Sequence, residues 1–146
     1  MPFVSVYIHF VWSTKKRVPY LETENIRGVM WQHIRDNGKA KGLFIDFVNG
    51  HKEHCHCLVS LGAEQTISKV MQLIKGESAF WFNKQGLINN KLEWQDEYFA
   101  ISVSQSLLNQ VREYIKNQEV HHKNKTFQQE YDEFILRHGF QKFKDL

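Results

Sequence analysis

The sequence predicts an α+β fold in which helices pack on an antiparallel sheet. Two observations favour it. Short runs alternate apolar and polar residues, as strands do, and longer segments between them repeat apolar residues at helical spacing. In chain order these segments give strand, helix, strand, strand, helix, strand, which is the split βαβ pattern of ferredoxin-like, or RRM-like, domains. Two more helices are predicted after the fourth strand.

The first half of the chain supplies three of the strands. Residues 3–12 alternate strictly and predict a strand with one buried face. Residues 22–37 predict the first helix, with Gly38 as its stop. Residues 43–48 predict the second strand, and a turn at Asn49 and Gly50 joins it to the third strand.

The second half completes the sheet. Residues 66–82 predict the second helix, and residues 94–104 contain the fourth strand, with Phe99, Ile101 and Val103 on one side. Because the first two helices would cover one face of the sheet, we predict that the other face is free.

The predicted C-terminal helices follow directly. Residues 105–122 form the third helix, with apolar residues at helical spacing. Thr126 followed by Gln129 is a capping-box sequence that begins the last helix, and Gly139 ends it.

Composition limits the class of protein. A length of 146 residues predicts a single domain over residues 1–146, and a hydrophobic content of 42% excludes a disordered chain. The formal charge of +3 fits a nucleic-acid partner but also many other proteins. Cys55 and Cys57 are next-nearest neighbours on a strand, which predicts small buried hydrophobes in a reducing compartment rather than a disulfide. We therefore predict a cytoplasmic protein, and residues 3–12 are too short for a membrane span.

The third predicted strand carries two histidines on one face. Side chains alternate along a strand, so His54 and His56 point one way while Cys55 and Cys57 point the other. The two imidazoles would stand roughly 7 Å apart, a spacing that suits two ligands of one metal ion. A lone His-x-His is more commonly a pair of half-exposed histidines on a polar sheet face, and the strand alone leaves both interpretations open.

A second candidate group lies in the third predicted helix. Tyr114 and Gln118 are four residues apart and therefore lie one turn apart on a common face. Set beside the histidine strand, Gln118 can supply a third, oxygen ligand to an ion held by His54 and His56. That contact would bring the Tyr114 hydroxyl to the edge of the metal site.

These motifs resemble those of the single-tyrosine HUH transposases of the smallest bacterial insertion sequences, often called transposase A. The resemblance extends over nearly all of residues 3–140. Two departures are visible, since Cys55 replaces a larger aliphatic residue and Glu53 stands where the family often has Asp. The matching segments are, in order, His54-Cys55-His56, Lys75-Gly76-Glu77-Ser78, Trp94-Gln95-Asp96-Glu97-Tyr98, Tyr114-Ile115-Lys116-Asn117-Gln118 and His121-His122.

The resemblance implies cleavage and rejoining of single-stranded DNA without ATP. Tyr114 would attack a phosphodiester, leaving a 5′-phosphotyrosine and a free 3′-hydroxyl. His54, His56 and Gln118 would hold a divalent ion, Mg²⁺ or Mn²⁺, and the nitrogen ligands favour Mn²⁺. Either the ion or a neighbouring imidazole would activate the tyrosine hydroxyl, whose ordinary pKa is near 10.

The resemblance also implies a homodimer that binds DNA hairpins, in which each Tyr114 serves the His54/His56 pair of the other subunit. The short connection after Val103 favours the same arrangement, because a helix that leaves an edge strand is expected to turn outward rather than back across its own sheet. The candidate DNA contacts are cationic residues: Lys15, Lys16, Arg17, Lys75, Arg112 and Lys116.

Three alternatives stay open. A domesticated relative would act on chromosomal palindromes with the same motifs. A replication or conjugation nickase of the wider HUH group is disfavoured by the short chain. A non-catalytic RRM-like binder would use an open sheet with aromatic residues in mid-strand, where this sequence has histidines.

Overall fold

The computed structural model describes residues 2–139. Residue 1 and residues 140–146, which the predicted domain also includes, lie outside the described residues. The strands are β1 (Val6–Ser13), β2 (Phe44–Gly50), β3 (His54–Leu61) and β4 (Phe99–Val103). The helices are α1 (Glu24–Ala40), α2 (Ile67–Met71), α3 (Glu77–Lys84), α4 (Leu108–Lys116), α5 (Gln118–His121) and α6 (Phe127–His138).

The strands form one antiparallel sheet in the order β2-β3-β1-β4. This is the ferredoxin-like arrangement, so the predicted α+β fold is confirmed. The two central strands lie in register, with Val11 of β1 opposite His56 of β3 and Ser13 opposite His54. The histidine strand is therefore central in the sheet.

One face of the sheet packs on α1, α2 and α3. Phe10 and Trp12 of β1 and Cys55 and Cys57 of β3 are fully or almost fully buried there. Both cysteines are free, as predicted, and burial raises the pKa of each thiol. The strand predicted over residues 3–12 starts too early. In the structure β1 begins at Val6, which pairs with the end of β3.

The end of α1 differs from the prediction. Gly38 does not stop the helix but lies inside it, where a Cβ atom would collide with the side chain of Ile45. The helix is instead capped by Lys41, which Gly42 follows. The φ of Gly42 is 78°, in the left-handed region that favours glycine. A close approach between helix and strand, invisible in the local pattern, explains the glycine at position 38.

The turn between β2 and β3 also differs from the prediction. Asn49 and Gly50 belong to β2, and the chain reverses over residues 51–53. Asn49 donates from Nδ2 to the carbonyl oxygen of Ile115 in α4, at 3.0 Å. Gly50 lies against the backbone of His54, where a Cβ would not fit. Both residue types thus serve tertiary contacts rather than a tight turn.

The second predicted helix is interrupted. Thr66 caps it, and its side chain accepts a hydrogen bond from the Lys69 amide, at 3.2 Å. A π-helical turn, Gln72–Gly76, then separates α2 from α3. The third predicted helix likewise divides: a 3-10 turn, Gln105–Leu107, precedes α4, and a break at Asn117 separates α4 from α5.

The second face of the sheet is covered, so the prediction of a free face was wrong. Leu58 of β3 packs against Leu108 and Ile115 of α4. Val11 of β1 packs against Phe127 and Phe134 of α6. We also expected the helix after β4 to turn outward, and this was wrong for the single chain. In the structure α4 folds back across its own sheet, because burial of the apolar residues of the helix and the sheet against each other stabilises the fold.

Candidate active site

The central element of the site is β3, which directs His54 and His56 to the face covered by the C-terminal helices. Both imidazoles are fully buried, with ring centroids 5.2 Å apart. The interpretation of two half-exposed histidines on a polar sheet face is therefore wrong. Phe127 of α6 stacks on the ring of His54, at 4.3 Å between centroids.

Each histidine is oriented through its Nδ1 atom. His54 Nδ1 donates to Glu53 Oε1 at 2.7 Å, and His56 Nδ1 shares a hydrogen bond of 2.9 Å with Nε2 of His9 on β1. Burial lowers the pKa of both His9 and His56, which favours neutral rings. Because Nδ1 is already hydrogen-bonded, the Nε2 atom of each histidine on β3 is directed into the space between the sheet and helices α5 and α6.

The side chain of Gln118, the first residue of α5, extends into this space from the helix side. Its side chain is fully buried, and Oε1 lies 3.0 Å from His54 Nε2. The break at Asn117 places Gln118 and Tyr114 in different helices, although Gln118 Nε2 still donates to the Tyr114 carbonyl oxygen at 3.4 Å. The structure thus brings Gln118 together with His54, as expected for the third ligand that the sequence analysis suggested.

Tyr114 lies beside the histidine pair. Its ring stands edge-on to His56, with centroids 5.5 Å apart, and its hydroxyl donates to Oε2 of Glu130. Burial and the negative charge of Glu130 both raise the pKa of Tyr114. At neutral pH this hydroxyl is consequently protonated, and a nucleophilic role requires that its proton be removed.

Glu130 of α6 is the residue that the sequence analysis missed. It is almost fully buried, and its Oε1 lies 3.0 Å from His56 Nε2 and 3.4 Å from His54 Nε2. Burial acts to raise its pKa, but the electrostatic interaction with His56 and the hydrogen bonds from His122 and His56 hold the pKa of Glu130 well below the ordinary range. A signal was present: Glu130 follows Phe127 by three residues and precedes Phe134 by four, which places a carboxylate on an apolar helix face.

His122 completes the polar cluster. Its Nε2 lies 3.1 Å from Gln118 Oε1 and 3.7 Å from Glu130 Oε1. Burial acts to lower its pKa, but the hydrogen bond and charge of Glu130 raise it. His54, His122 and Glu130 each offer one ligand atom, and these atoms lie within 4.8 Å of one another. Imidazole nitrogens with amide and carboxylate oxygens form a donor set that can bind a metal ion.

The cations predicted to contact DNA fall into two groups. Lys15, Lys16 and Lys116 are exposed. Of these, Lys15 lies 3.6 Å from Glu93, and the other three cations are less exposed and also make contacts within the chain. Arg17 lies over the rings of Phe127 and Tyr131, Lys75 donates to the carbonyl oxygens of Gln95 and Asp96, and Arg112 pairs with Asp46 at 2.7 Å.

A cavity of about 390 Å³ lies between β4, α4 and α6 and reaches the side of Tyr114 that carries the hydroxyl. Its wall includes His9, Tyr114, Glu130 and the cationic residues Lys125 and Arg137. The cavity therefore connects the tyrosine and the buried carboxylate to the surface formed by the C-terminal helices.

Comparisons with known proteins agree on one class. The model of the family described as "Transposase IS200 like" matches residues 3–118. The ISDra2 transposase TnpA of Deinococcus radiodurans is 28% identical over 116 residues, which are 75% of this chain and 81% of that protein.

Two solved structures share the fold. A crystal structure of a protein from Deinococcus radiodurans R1, assigned as a transposase, has a TM-score of 0.64 at 22% identity and covers 81% of this chain and 95% of its own. A REP-associated tyrosine transposase bound to a REP hairpin has a TM-score of 0.60 at 19% identity and covers 84% of this chain and 71% of its own.

These matches define a transposase, which is a DNA-cleaving enzyme. In particular, the chain belongs to the family of IS200-like transposases. Among residues 2–139, no helix is both long and apolar enough to span a membrane.

Proposed function

We propose that this chain cleaves and rejoins single-stranded DNA at hairpin-marked ends of a mobile element, through a 5′-phosphotyrosine on Tyr114. One observation carries the proposal: the Tyr114 hydroxyl and the Nε2 atoms of His54 and His56 all face one buried carboxylate, that of Glu130. Because the nucleophile and the metal-ligating nitrogens all contact one carboxylate, they lie close enough together to act on the same phosphate group.

The chemistry follows from these positions. The Tyr114 oxygen forms a bond to phosphorus, and the bond from phosphorus to the 3′-oxygen of the preceding nucleotide breaks. The hydroxyl donates to Glu130 Oε2, which holds it in position, and the proton that it loses is balanced by the one that the departing 3′-oxygen takes up to become a hydroxyl. A later attack by a 3′-hydroxyl on the phosphotyrosine reseals the strand and returns the tyrosine, and no ATP is required because the phosphodiester energy is retained.

We propose that His54, His56 and Gln118 hold a divalent ion, Mg²⁺ or Mn²⁺. Such an ion, when bound, offsets the negative charge that collects on phosphate oxygens under attack. The support is the donor set itself: two imidazoles oriented by Glu53 and His9, and an amide oxygen 3.0 Å from His54 Nε2.

We further propose a hairpin-binding homodimer with active sites completed in trans. One neighbour in fold is a transposase bound to a hairpin, which supports hairpin DNA as the ligand here. In the single chain, Tyr114 contacts His56 of its own β3. A dimer that exchanges α4 through the short connection after β4 would form the same contacts between subunits.

An RRM-like binder without catalytic activity is the alternative that the structure disfavours. Such a domain binds bases on an exposed sheet face. Here one face packs on α1 to α3, and the other is covered by α4 and α6. A domesticated relative acting on chromosomal palindromes would have the same site, and the DNA that flanks the gene distinguishes it from a mobile element.

The nucleophile is tested with Tyr114→Phe. Wild-type protein incubated with a labelled hairpin oligonucleotide and Mn²⁺ should form a covalent adduct that survives denaturing electrophoresis. The Tyr114→Phe protein should bind the hairpin and form no adduct, because the ring still packs and only the hydroxyl is lost. Tyr131→Phe, which alters a tyrosine of α6, serves as the matched control and should retain the adduct. An adduct with Tyr114→Phe would refute the assignment.

A further inference from the structure

Glu130 lies at the point where the proposed metal ligands meet. We propose that Glu130 is a fourth ligand of the ion and that it positions the Tyr114 hydroxyl beside that ion. This inference rests on the proposed function, since it concerns the same metal site. It adds to the two histidines and the glutamine a carboxylate from α6, an element that lies beyond the matched residues 3–118.

The contact with Glu53 determines the tautomer of His54. A carboxylate only accepts hydrogen bonds, so His54 Nδ1 carries the proton in its 2.7 Å contact with Glu53. In the neutral ring, Nε2 then presents a lone pair. That lone pair faces two oxygen atoms, Gln118 Oε1 at 3.0 Å and Glu130 Oε1 at 3.4 Å.

The amide of Gln118 is also oriented by its contacts. Its Nε2 donates to the Tyr114 carbonyl oxygen and to Glu130 Oε2, each at 3.4 Å, so its Oε1 is the atom that faces His54. Three lone-pair-bearing atoms therefore converge on side chains that are at most 1% exposed, and acceptors buried in this way are unfavourable unless a donor or a positive centre lies between them. His122 Nε2 and His56 Nε2 lie 3.1 and 3.0 Å from the Gln118 and Glu130 oxygens, respectively, and a divalent ion is a centre that satisfies His54 Nε2 and both oxygens at once.

The spacing of these atoms can be compared with that of metal ligands. For ion–ligand bonds of about 2.1 Å, adjacent ligand atoms at right angles lie about 3.0 Å apart. The separations here are 3.0 Å from His54 Nε2 to Gln118 Oε1, and 3.0 and 3.4 Å from Glu130 Oε1 to the two β3 histidines. The distances from Glu130 Oε1 to the two histidine nitrogens are therefore close to the distance that separates His54 from Gln118.

The two oxygens of Glu130 have different partners. Oε1 faces the histidine nitrogens, and Oε2 accepts the hydrogen bond of the Tyr114 hydroxyl. One carboxylate consequently connects the ion site to the nucleophile and determines the distance between them. Glu130 acts on the reaction as a positioning residue through the ion and through Tyr114.

Metal binding by the full chain tests this inference. Mn²⁺ is titrated into metal-free wild-type, Glu130→Gln and Asp132→Asn proteins by calorimetry, and the spectrum of free Mn²⁺ is followed by electron paramagnetic resonance. Glu130→Gln should weaken Mn²⁺ binding by about 10–100-fold, in the range found when groups around a metal site are altered. Asp132→Asn, a change at an exposed residue of the same helix, should bind as the wild type does.

A second readout separates positioning from folding. The Mn²⁺ concentration needed for half of the maximal hairpin adduct should rise for Glu130→Gln, while hairpin binding in chelator should not change. Glu130→Asp keeps the charge and should recover part of the Mn²⁺ affinity; if Glu130→Gln does not fold, this variant decides, because a full loss of affinity in folded Glu130→Asp refutes the inference.

The failures are distinguishable. Equal or tighter Mn²⁺ binding by Glu130→Gln overturns the role of Glu130 and leaves the proposed function intact. A wild-type protein that binds neither Mn²⁺ nor Mg²⁺ overturns the metal site of the proposed function, and this inference with it.

Discussion

The two faces of β3 are equally buried but chemically different. Cys55 and Cys57 on one face, and His54 and His56 on the other, are all inaccessible to solvent. The cysteines lie in an apolar core, where burial is favourable in any orientation that fills the space. The histidines depend on directed contacts with Glu53, His9, Gln118 and Glu130. One strand thus separates an apolar core from a face of directed polar contacts, on which we place the proposed active site.

This difference between the two faces of β3 predicts which substitutions should affect stability and which should affect activity. Packing against α1 to α3 has no directional requirement, so loss of a small side chain there costs mainly stability. On the other face, the histidines and their hydrogen-bond partners form a connected group. Removal of one member therefore changes the charge or orientation of its neighbour.

The largest effect separates the two faces of β3 directly. His54→Ala or His56→Ala should abolish Mn²⁺-dependent cleavage of a hairpin oligonucleotide, and Gln118→Ala should reduce it less, because an amide is the weakest of these ligands. Cys57→Ala should retain cleavage and lower the free energy of unfolding by about 1 kcal/mol, as for the loss of roughly one buried methylene. Chelator should silence the wild type. Full cleavage in excess chelator, or loss of cleavage in folded Cys57→Ala, would contradict this division.

The second prediction asks whether the histidine face belongs to one chain. A Tyr114→Phe subunit and a His54→Ala/His56→Ala subunit are co-expressed with different tags, and the mixed dimer is purified on both. Each parent homodimer should be inactive. Assembly in trans leaves one complete site in the mixed dimer, which should form the hairpin adduct at a level well above either parent. A mixed dimer that binds the hairpin without forming the adduct would exclude trans assembly.

The third prediction concerns acid stability, measured as the melting temperature of the metal-free protein against pH. Glu130 has a pKa held below its ordinary value of 4.5, so its contribution is present above that pH and is lost as pH falls towards the folded-state pKa. The pKa of His56 is lowered from 6.5 by burial, and this contribution likewise declines as pH falls below 6.5. The melting temperature should therefore drop on acidification.

Variants assign this acid sensitivity to one face. Glu130→Gln should flatten the loss of stability below pH 4.5. The raised thiol pKa values keep Cys55 and Cys57 neutral over the same range, so Cys57→Ala should leave the shape of the profile unchanged. An unchanged acid limb in folded Glu130→Gln would show that the charge of Glu130 is not its source.

The smallest expected effect lies outside both faces, at the predicted DNA-contacting cations. Lys16→Ala and Lys116→Ala alter exposed residues and should weaken hairpin binding modestly. Each should reduce the slope of the logarithm of the binding constant against that of salt concentration by about 0.7–0.9. Arg112→Ala removes an ion pair with Asp46 and should change stability more than the salt slope. Salt slopes equal to the wild type for both lysine variants would remove them from the DNA contacts.

Local pattern in the sequence determined a substantial part of this protein. Alternation along β3 placed His54 and His56 on one side, because a strand has a period of two whatever surrounds it. The capping box of Thr126 and Gln129 begins α6 as predicted, with both of its hydrogen bonds formed. The four-residue spacing of Tyr114 and Gln118 also predicted that they would be neighbours, even though a helix break separates them.

Only the tertiary structure decided what meets the histidines. A periodicity tells which side of an element is buried, but the element that buries it depends on long-range packing. Hence Asn49 and Gly50 form part of a strand rather than a turn, and α4 and α6 cover the face predicted to be free. The same packing brings Glu130 from 74 positions further along the chain to His56. No spacing rule connects residues so far apart, because their contact exists only once the apolar faces of the helices have closed on the sheet.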